Sequence, residues 1–96
     1  MRKEPAVAVN VHIHKVYRSF TDGLETVEIE GHTVGECLDN LVRHYPDIKR
    51  VLFAKNGDLL KNIDLYVNRE SAYPEELEKP VSHGDDIYIH LLLTGG

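Results

Sequence analysis

Hydrophobic and polar residues alternate near the N-terminus with the period of a half-buried β-strand. The apolar members of this first segment are Val7, Val9, Val11 and Ile13. A second alternating segment carries Val27 and Ile29 between polar residues. Asp22-Gly23, a pair that suits a tight turn, stands before it. The pattern therefore predicts that the chain opens with a β-hairpin closed by a tight connection.

A helical period replaces the strand period after this hairpin. The apolar residues at helical spacing are Val34, Cys37, Leu38, Leu41, Val42 and Tyr45. Thr33 and Glu36 have the spacing of a capping box, in which the hydroxyl accepts from a first-turn amide and the carboxylate reaches back. Pro46 cannot continue a helix, because it lacks an N–H and its ring crowds the preceding turn. We expect one main helix that ends before Pro46.

Two further alternating segments follow in the second half of the chain. Their apolar members are Ile63, Leu65 and Val67, and then Ile87, Ile89, Leu91 and Leu93. Residues 48–60 predict a brief strand or helical turn, with a chain reversal at Asn56-Gly57-Asp58. Residues 70–80 are polar and contain two prolines, and they predict a loop with a short turn of helix.

One helix with a single apolar stripe must bury that stripe on the apolar face of a sheet. The simplest arrangement is a mixed sheet with the hairpin on one side and a crossover to a parallel neighbour. We therefore predict an α+β fold of the β-grasp (ubiquitin-like) type, with one main helix packed on one face. We expect residues 1–96 to form a single domain, because a chain of this length has no room for a second core.

The charge balance narrows the classes of partner. Sixteen acidic and eleven basic residues give a formal charge of −5, which disfavours nucleic acid and anionic membranes as partners. Such a surface suits a basic protein face, or serves solubility alone. Cys37 is the single cysteine, which excludes an internal disulfide and fits a reducing compartment. The N-terminus shows no signal-peptide pattern, and we expect a cytoplasmic protein.

Several short motifs occur in an order that resembles the MoaD/ThiS family of ubiquitin-like sulfur carriers, which includes the small subunit of molybdopterin synthase. They are Tyr45-Pro46, Asn56-Gly57-Asp58, Asp64-Leu65-Tyr66-Val67-Asn68, Gly84-Asp85-Asp86 and Gly95-Gly96. The resemblance extends from about Val7 to Gly96. The chain departs from the family pattern at Arg69, where a glycine is usual, and in the leucines before the terminal glycines. The second departure leaves the acceptor enzyme open.

The resemblance implies a carrier without catalytic residues and without a bound cofactor. A ubiquitin-activating-type adenylyltransferase would use ATP to adenylate the carboxylate of Gly96. A sulfur donor would then convert the adenylate to a thiocarboxylate. A sulfur-acceptor synthase would use this thiocarboxylate in molybdopterin (molybdenum cofactor) or thiamine biosynthesis. Residues 94–96 would form a flexible tail in which Thr94 and Gly95 help to thread Gly96 into the partner, because glycines occupy little space and accept φ of either sign.

Three alternatives to this function stay open. The first is a ubiquitin-like modifier that is conjugated to lysines, since adenylation of a terminal glycine is common to both. A related carrier branch serves cysteine biosynthesis. The third alternative is a β-grasp binding module with an inert tail, because chain ends are often disordered without consequence.

Other candidate groups have simpler interpretations. By alternation, three residues face away from the core and are candidates for partner binding: Leu92, Tyr88 and His90. The alternative for Leu92 is that it covers a neighbouring side chain. His12, His14 and His90 could share one face, but zinc needs three or four ligands in a closed geometry, and we expect no metal site. Cys37 is predicted to be a small core residue. The glutamates of the 70–80 loop, Glu75, Glu76 and Glu78, are predicted to be solvated.

Overall fold

The computed structural model describes residues 7–92, which form a mixed five-stranded sheet with α1 packed on one face. The strands are β1 (Ala8–His12), β2 (Thr26–Glu30), β3 (Ile63–Val67), β4 (Glu70–Ser71) and β5 (Asp86–Leu91). Within the same residues the helices are α1 (Val34–His44), α2 (Lys49–Leu52) and the 3-10 helices Lys15–Thr21, Pro46–Ile48 and Glu76–Glu78. The predicted α+β fold of β-grasp type, with one main helix, is confirmed.

The strand order β2-β1-β5-β3-β4 places the last strand at the centre of the sheet. β1 pairs antiparallel with β2 and parallel with β5, so that Val11 lies beside both Val27 and Ile87. β3 pairs antiparallel with β5 and with the short β4. The predicted mixed sheet with the hairpin on one side is confirmed. The helix does not lead to the parallel neighbour, because the strand that follows α1 is β3, whereas the parallel partner of β1 is β5.

The apolar face of the sheet and the apolar stripe of α1 form the core. The α1 residues Val34, Cys37, Leu38 and Leu41 are fully buried, as are Val9, Val11, Leu65 and Ile87 of the sheet. Each fully buried aliphatic side chain of this kind stabilises the fold by about 1.5–3 kcal/mol relative to an exposed one. Because the period of a strand is two, the strand residues between these buried ones face outward.

The predicted limits of α1 are confirmed at both ends. The Thr33 hydroxyl accepts a hydrogen bond from the Glu36 N–H at 3.1 Å, and the Glu36 carboxylate accepts one from the His32 N–H at 2.8 Å. The first bond satisfies an amide group that the first helical turn leaves without a partner, and the second connects Glu36 to the residue before the cap. At the other end α1 stops at His44, and Pro46 begins a 3-10 helix.

The predicted tight connection of the first hairpin is wrong. A seven-residue 3-10 helix, Lys15–Thr21, lies between β1 and β2, and Asp22-Gly23 only ends it, with φ values of 55° and 83°. The helix forms because two of its side chains, Tyr17 and Thr21, are buried. The Thr21 hydroxyl lies 3.0 Å from the Leu24 carbonyl oxygen, to which it donates, so its burial leaves no polar group without a partner.

The two less regular segments follow their predictions in part. Residues 48–60 contain a helical turn, α2, rather than a strand, and a bridge between Phe53 and Leu59 closes the chain reversal after it. Residues 70–80 contain the predicted turn of helix, Glu76–Glu78, but also β4, which the sequence did not indicate. Leu93, predicted to end the last strand, lies outside the described residues. No helix within residues 7–92 has the length and apolar character needed to cross a membrane.

Candidate functional site

The central strand β5 leads directly to the predicted functional tail. β5 ends at Leu91, and the Leu92 N–H donates to the Asn62 carbonyl at 2.7 Å, which fixes the chain at the point where it leaves the sheet. The Leu92 side chain is 47% exposed. Thr94, Gly95 and Gly96 lie outside the described residues, so their roles stay predictions.

Four aromatic rings lie across the outer face of the three central strands, and we call them the aromatic row: His12, Tyr88, Tyr66 and His90. The His12 and Tyr88 rings are stacked, with centroids 4.4 Å apart and planes within 8° of parallel. The His90 ring lies 5.0 Å from Tyr66 and meets the edge of Tyr88 at 6.4 Å. The sheet register brings them together, because Tyr88 on β5 is opposite His12 on β1 and Tyr66 on β3.

Polar groups hold the His12 end of this row in one orientation. The His12 Nε2 lies 2.9 Å from the Asp86 carboxylate, and its Nδ1 lies 3.3 Å from the Thr26 hydroxyl. The Asp86 N–H in turn donates to the Asn68 side-chain oxygen at 3.0 Å. Asn68 adopts the left-handed conformation, with φ of 56°. It directly precedes Arg69, the position at which the family pattern usually has glycine. Because the ring is held from both nitrogens, the His12 end of the row is preorganised, and Tyr88 stacks on it.

The residues predicted to bind a partner face away from the core, as the alternation indicated. Tyr88 is half-buried beside its neighbours, while His90 and Leu92 are exposed. Their role in partner binding stays a prediction. His12 and Tyr66 complete the row. The sequence singles out His12 only together with His14 and His90, as histidines of one face, and does not single out Tyr66, since their contact with Tyr88 depends on which strands are neighbours. Their aromatic character at outward positions of two predicted strands was the signal that could have found them.

The three histidines considered as metal ligands do not come together. His14 lies beyond the end of β1, and its Nδ1 accepts the Val16 N–H at 3.1 Å as the cap of the 3-10 helix. His12 and His90 lie on either side of Tyr88. Among residues 7–92 no group of three or more histidine, cysteine or acidic side chains is arranged to hold a metal ion.

The single thiol is a core group, as predicted. Cys37 is fully buried against the sheet. Burial first, and then the nearby Glu36 carboxylate, raise its pKa to about 11. Since the thiolate is the nucleophilic form, this cysteine is neutral and unreactive near pH 7.

Comparisons with known proteins agree on one family. The model of the ThiS family matches residues 11–96. The sulfur carrier protein CysO of Mycobacterium tuberculosis is 29% identical over 91 residues, which cover 92% of this chain and 98% of that protein. A chain in the crystal structure of the Amycolatopsis orientalis BexX/CysO complex is 34% identical, with a TM-score of 0.82 and coverage of 92% and 99%. The small archaeal modifier protein 1 (SAMP1) of Methanosarcina acetivorans is 25% identical, with a TM-score of 0.82 and coverage of 97% and 100%.

Proposed function

The chain belongs to the ThiS family of ubiquitin-like sulfur carriers, and from this premise we propose that it carries sulfur as a thiocarboxylate on Gly96. An activating enzyme transfers AMP from ATP to the Gly96 carboxylate and releases pyrophosphate. A sulfur donor then displaces AMP from the acyl group and leaves the thiocarboxylate. Activation is needed because a carboxylate is a poor electrophile, whereas AMP is a good leaving group.

The observation that carries this proposal is the family match, which runs through the central strand to Gly96. β5 is held on both sides and ends at Leu91. The four residues after Leu92 span at most about 13–14 Å when extended. That reach, together with two terminal glycines that occupy little space, suits a carboxylate that must enter the active site of another protein.

In this proposal the chain is not an enzyme by itself, and acts as the substrate or a subunit of enzyme complexes. Its partners are a ubiquitin-activating-type adenylyltransferase, which uses the ATP, and a sulfur-acceptor synthase. The A. orientalis relative was solved as a complex, which supports the expectation of protein partners. A free, buried cysteine supports a cytoplasmic location as part of the proposal, since reducing compartments keep thiols free.

The proposal also concerns the biosynthetic pathway to which the sulfur-acceptor synthase belongs. Our sequence-based expectation was molybdopterin or thiamine biosynthesis, with cysteine biosynthesis as an alternative. The similarity to proteins named CysO favours the cysteine alternative. The direct test is to incubate the thiocarboxylate form separately with a cysteine, a thiazole and a molybdopterin synthase from the same organism. Sulfur loss with the cysteine synthase alone is expected, and loss only with either of the others would contradict the assignment.

We further assign the aromatic row and Leu92 to the surface that docks on the activating enzyme. The His12 end of the row is preorganised, the rings lie next to the strand that delivers the tail, and aromatic side chains are enriched in protein interfaces. Tyr88→Ala should raise the KM for the carrier in the adenylation reaction by about tenfold or more. Val16→Ala, which removes an exposed apolar side chain of the β1–β2 connection, is the matched control and should leave the KM unchanged. Equal values of KM for the two variants would contradict the assignment.

The experiment that tests the carrier chemistry is intact mass after incubation with ATP, a sulfur source and the host's activating enzyme. We expect a mass increase equal to the replacement of one oxygen by sulfur. Gly96→Ala should abolish the increase, because a methyl group obstructs entry of the tail. Cys37→Ala should retain it, which separates a thiocarboxylate from a persulfide. A wild-type protein that gains no sulfur from an enzyme active on its own carrier would refute the proposal.

A second function has separate support. The similarity to SAMP1, a protein described as a modifier, favours conjugation of Gly96 to lysine side chains. Both functions begin with adenylation, so the mass experiment does not distinguish them. Lysine-linked Thr-Gly-Gly remnants on other proteins, left by a protease that cleaves after Leu93 in digests of cells that express the chain, would support conjugation. Their absence, with thiocarboxylate present in the same cells, would leave the carrier function alone.

A further inference from the structure

A second surface lies at the edge of the sheet, beside the point where the chain leaves β5. It is an open groove of 570 Å³, which we call the exit groove. Its apolar lining consists of Leu59, Leu60, Ile63, Leu77 and Leu92, with Tyr73 and Pro74 along one side. Tyr73 is 74% exposed and Leu92 is 47% exposed. Exposed apolar groups that gather at one place, rather than being scattered singly, indicate a contact surface.

Carboxylates surround this apolar lining. Those that line the exit groove are Asp58, Asp64, Glu75, Glu76 and Glu78, against one basic residue, Lys61. Within residues 7–92 the ion pairs are His12–Asp86 and Arg18–Glu25, so no basic group of that part of the chain lies within 4.0 Å of any of the five. The exit groove therefore carries a negative field that the described part of the domain leaves unneutralised.

The exit groove continues the surface formed by the aromatic row. Asp64 on β3 is opposite His90 on β5, so one carboxylate of the groove adjoins the row directly. Leu92 follows β5 and lines the groove. A protein that docks on the row and contacts Leu92 therefore also reaches the exit groove.

We propose that the exit groove binds a segment of the activating enzyme in which arginine or lysine side chains stand among apolar residues. This inference rests on the proposed carrier function. The long aliphatic parts of such side chains would cover the leucines, while their charged ends would reach the surrounding carboxylates. Arginine suits the site well, because its guanidinium group can donate two parallel hydrogen bonds to one carboxylate.

The charge of the groove disfavours two other occupants. The chain's own residues 93–96 end in a carboxylate, which five neighbouring carboxylates would repel. A second copy of the chain carries a formal charge of −5 and would be repelled as a whole. A basic partner segment gains from the same field that disfavours both.

The test compares two triple variants that lose the same charge. Glu75→Gln/Glu76→Gln/Glu78→Gln neutralises the exit groove, and Glu30→Gln/Asp39→Asn/Asp47→Asn neutralises three exposed carboxylates elsewhere. At an ionic strength of about 0.01 M the groove variant should raise the KM for adenylation about tenfold with kcat unchanged. The control variant should stay within about twofold of wild type, because charges outside the contact change only the long-range field.

Ionic strength provides an independent readout. The Debye length falls from roughly 30 Å at 0.01 M to a few ångströms near 1 M, so salt should reduce the difference between wild type and the groove variant. Leu92→Ser should raise the KM at both ionic strengths, because its contribution is apolar. Thermal unfolding of each variant confirms that the fold is kept.

The outcomes distinguish failure of the exit-groove inference from failure of the proposed carrier function. Normal adenylation of wild type with the same KM for both triple variants would overturn the exit-groove inference and leave the carrier function standing. No adenylation of wild type by an active cognate enzyme would overturn both.

In the free protein, removal of residues 93–96 should leave the amide resonances of Leu59 and Leu77 unchanged. Large changes there would assign the groove to the chain's own tail, and concentration-dependent changes would assign it to a second copy.

Discussion

The buried thiol of Cys37 makes a quantitative prediction about stability and pH. Burial first, and then the Glu36 carboxylate, raise the pKa of this thiol from 9.0 to about 11. The folded state therefore holds the proton more tightly than the unfolded chain does. The resulting stabilisation is fully present below about pH 9 and is lost as the pH rises towards about 11. Because one pKa unit corresponds to about 1.4 kcal/mol, the total loss is about 3 kcal/mol, and the loss between about pH 8 and pH 10 is about 1 kcal/mol.

The assay is urea unfolding of wild type and Cys37→Ala at both pH values. Burial also raises the pKa of Tyr17, so both proteins should lose some stability from tyrosine ionisation at high pH. Their difference isolates the thiol: wild type should lose about 1 kcal/mol more than Cys37→Ala between the two conditions. Equal losses would refute the argument, since the thiol would then ionise equally well in the folded and unfolded states.

Three further substitutions test the packing, the helix cap and the exit of the tail. A Cβ on Gly31 would lie 2.7 Å from the Cys37 sulfur and 2.9 Å from the Cys37 backbone nitrogen. Gly31→Ala should therefore lower the free energy of unfolding in urea by about 2 kcal/mol. A loss under about 0.5 kcal/mol would be inconsistent with that crowding. Thr33→Ala should lower the free energy of unfolding by about 1 kcal/mol because α1 loses its cap. Thr33→Ser should keep most of that stability, because serine also carries a hydroxyl. Equal free energies of unfolding for wild type and Thr33→Ala would show that the cap contributes nothing. Leu92→Glu should weaken binding to the activating enzyme by about 1–2 kcal/mol in calorimetry, and unchanged affinity would remove Leu92 from the interface.

The sequence predicted those elements whose hydrophobic period is long and regular. Five or more periodic residues and a capping pair define α1, and alternation over five residues defines β1 and β3. The 3-10 helix Lys15–Thr21 escaped prediction because it buries only Tyr17 and Thr21 completely, which is too few positions to establish a period. The two-residue β4 escaped for a related reason, since two residues cannot show alternation.

The candidate site was predictable one strand at a time but not as a surface. Alternation placed Tyr88, His90 and Leu92 on the outer face, and the structure agrees. The contribution of His12 and Tyr66 depends on the register between strands that lie far apart in sequence, which a periodic pattern does not contain. The exit groove joins residues on both sides of β4, so it becomes visible only after the chain has folded.

The central position of β5 also determines when the domain can finish folding during synthesis. β1 and β2 form one antiparallel pair, and β3 and β4 form another, but β5 alone joins them. Asn10 is opposite Asp86, a separation of 76 residues, so this contact forms only after nearly the whole chain has left the ribosome. Until then each half of the sheet has an open edge that can pair with another chain. A nascent chain therefore completes its sheet only after β5 has emerged, which couples completion of the fold to the availability of the segment that we propose carries the sulfur.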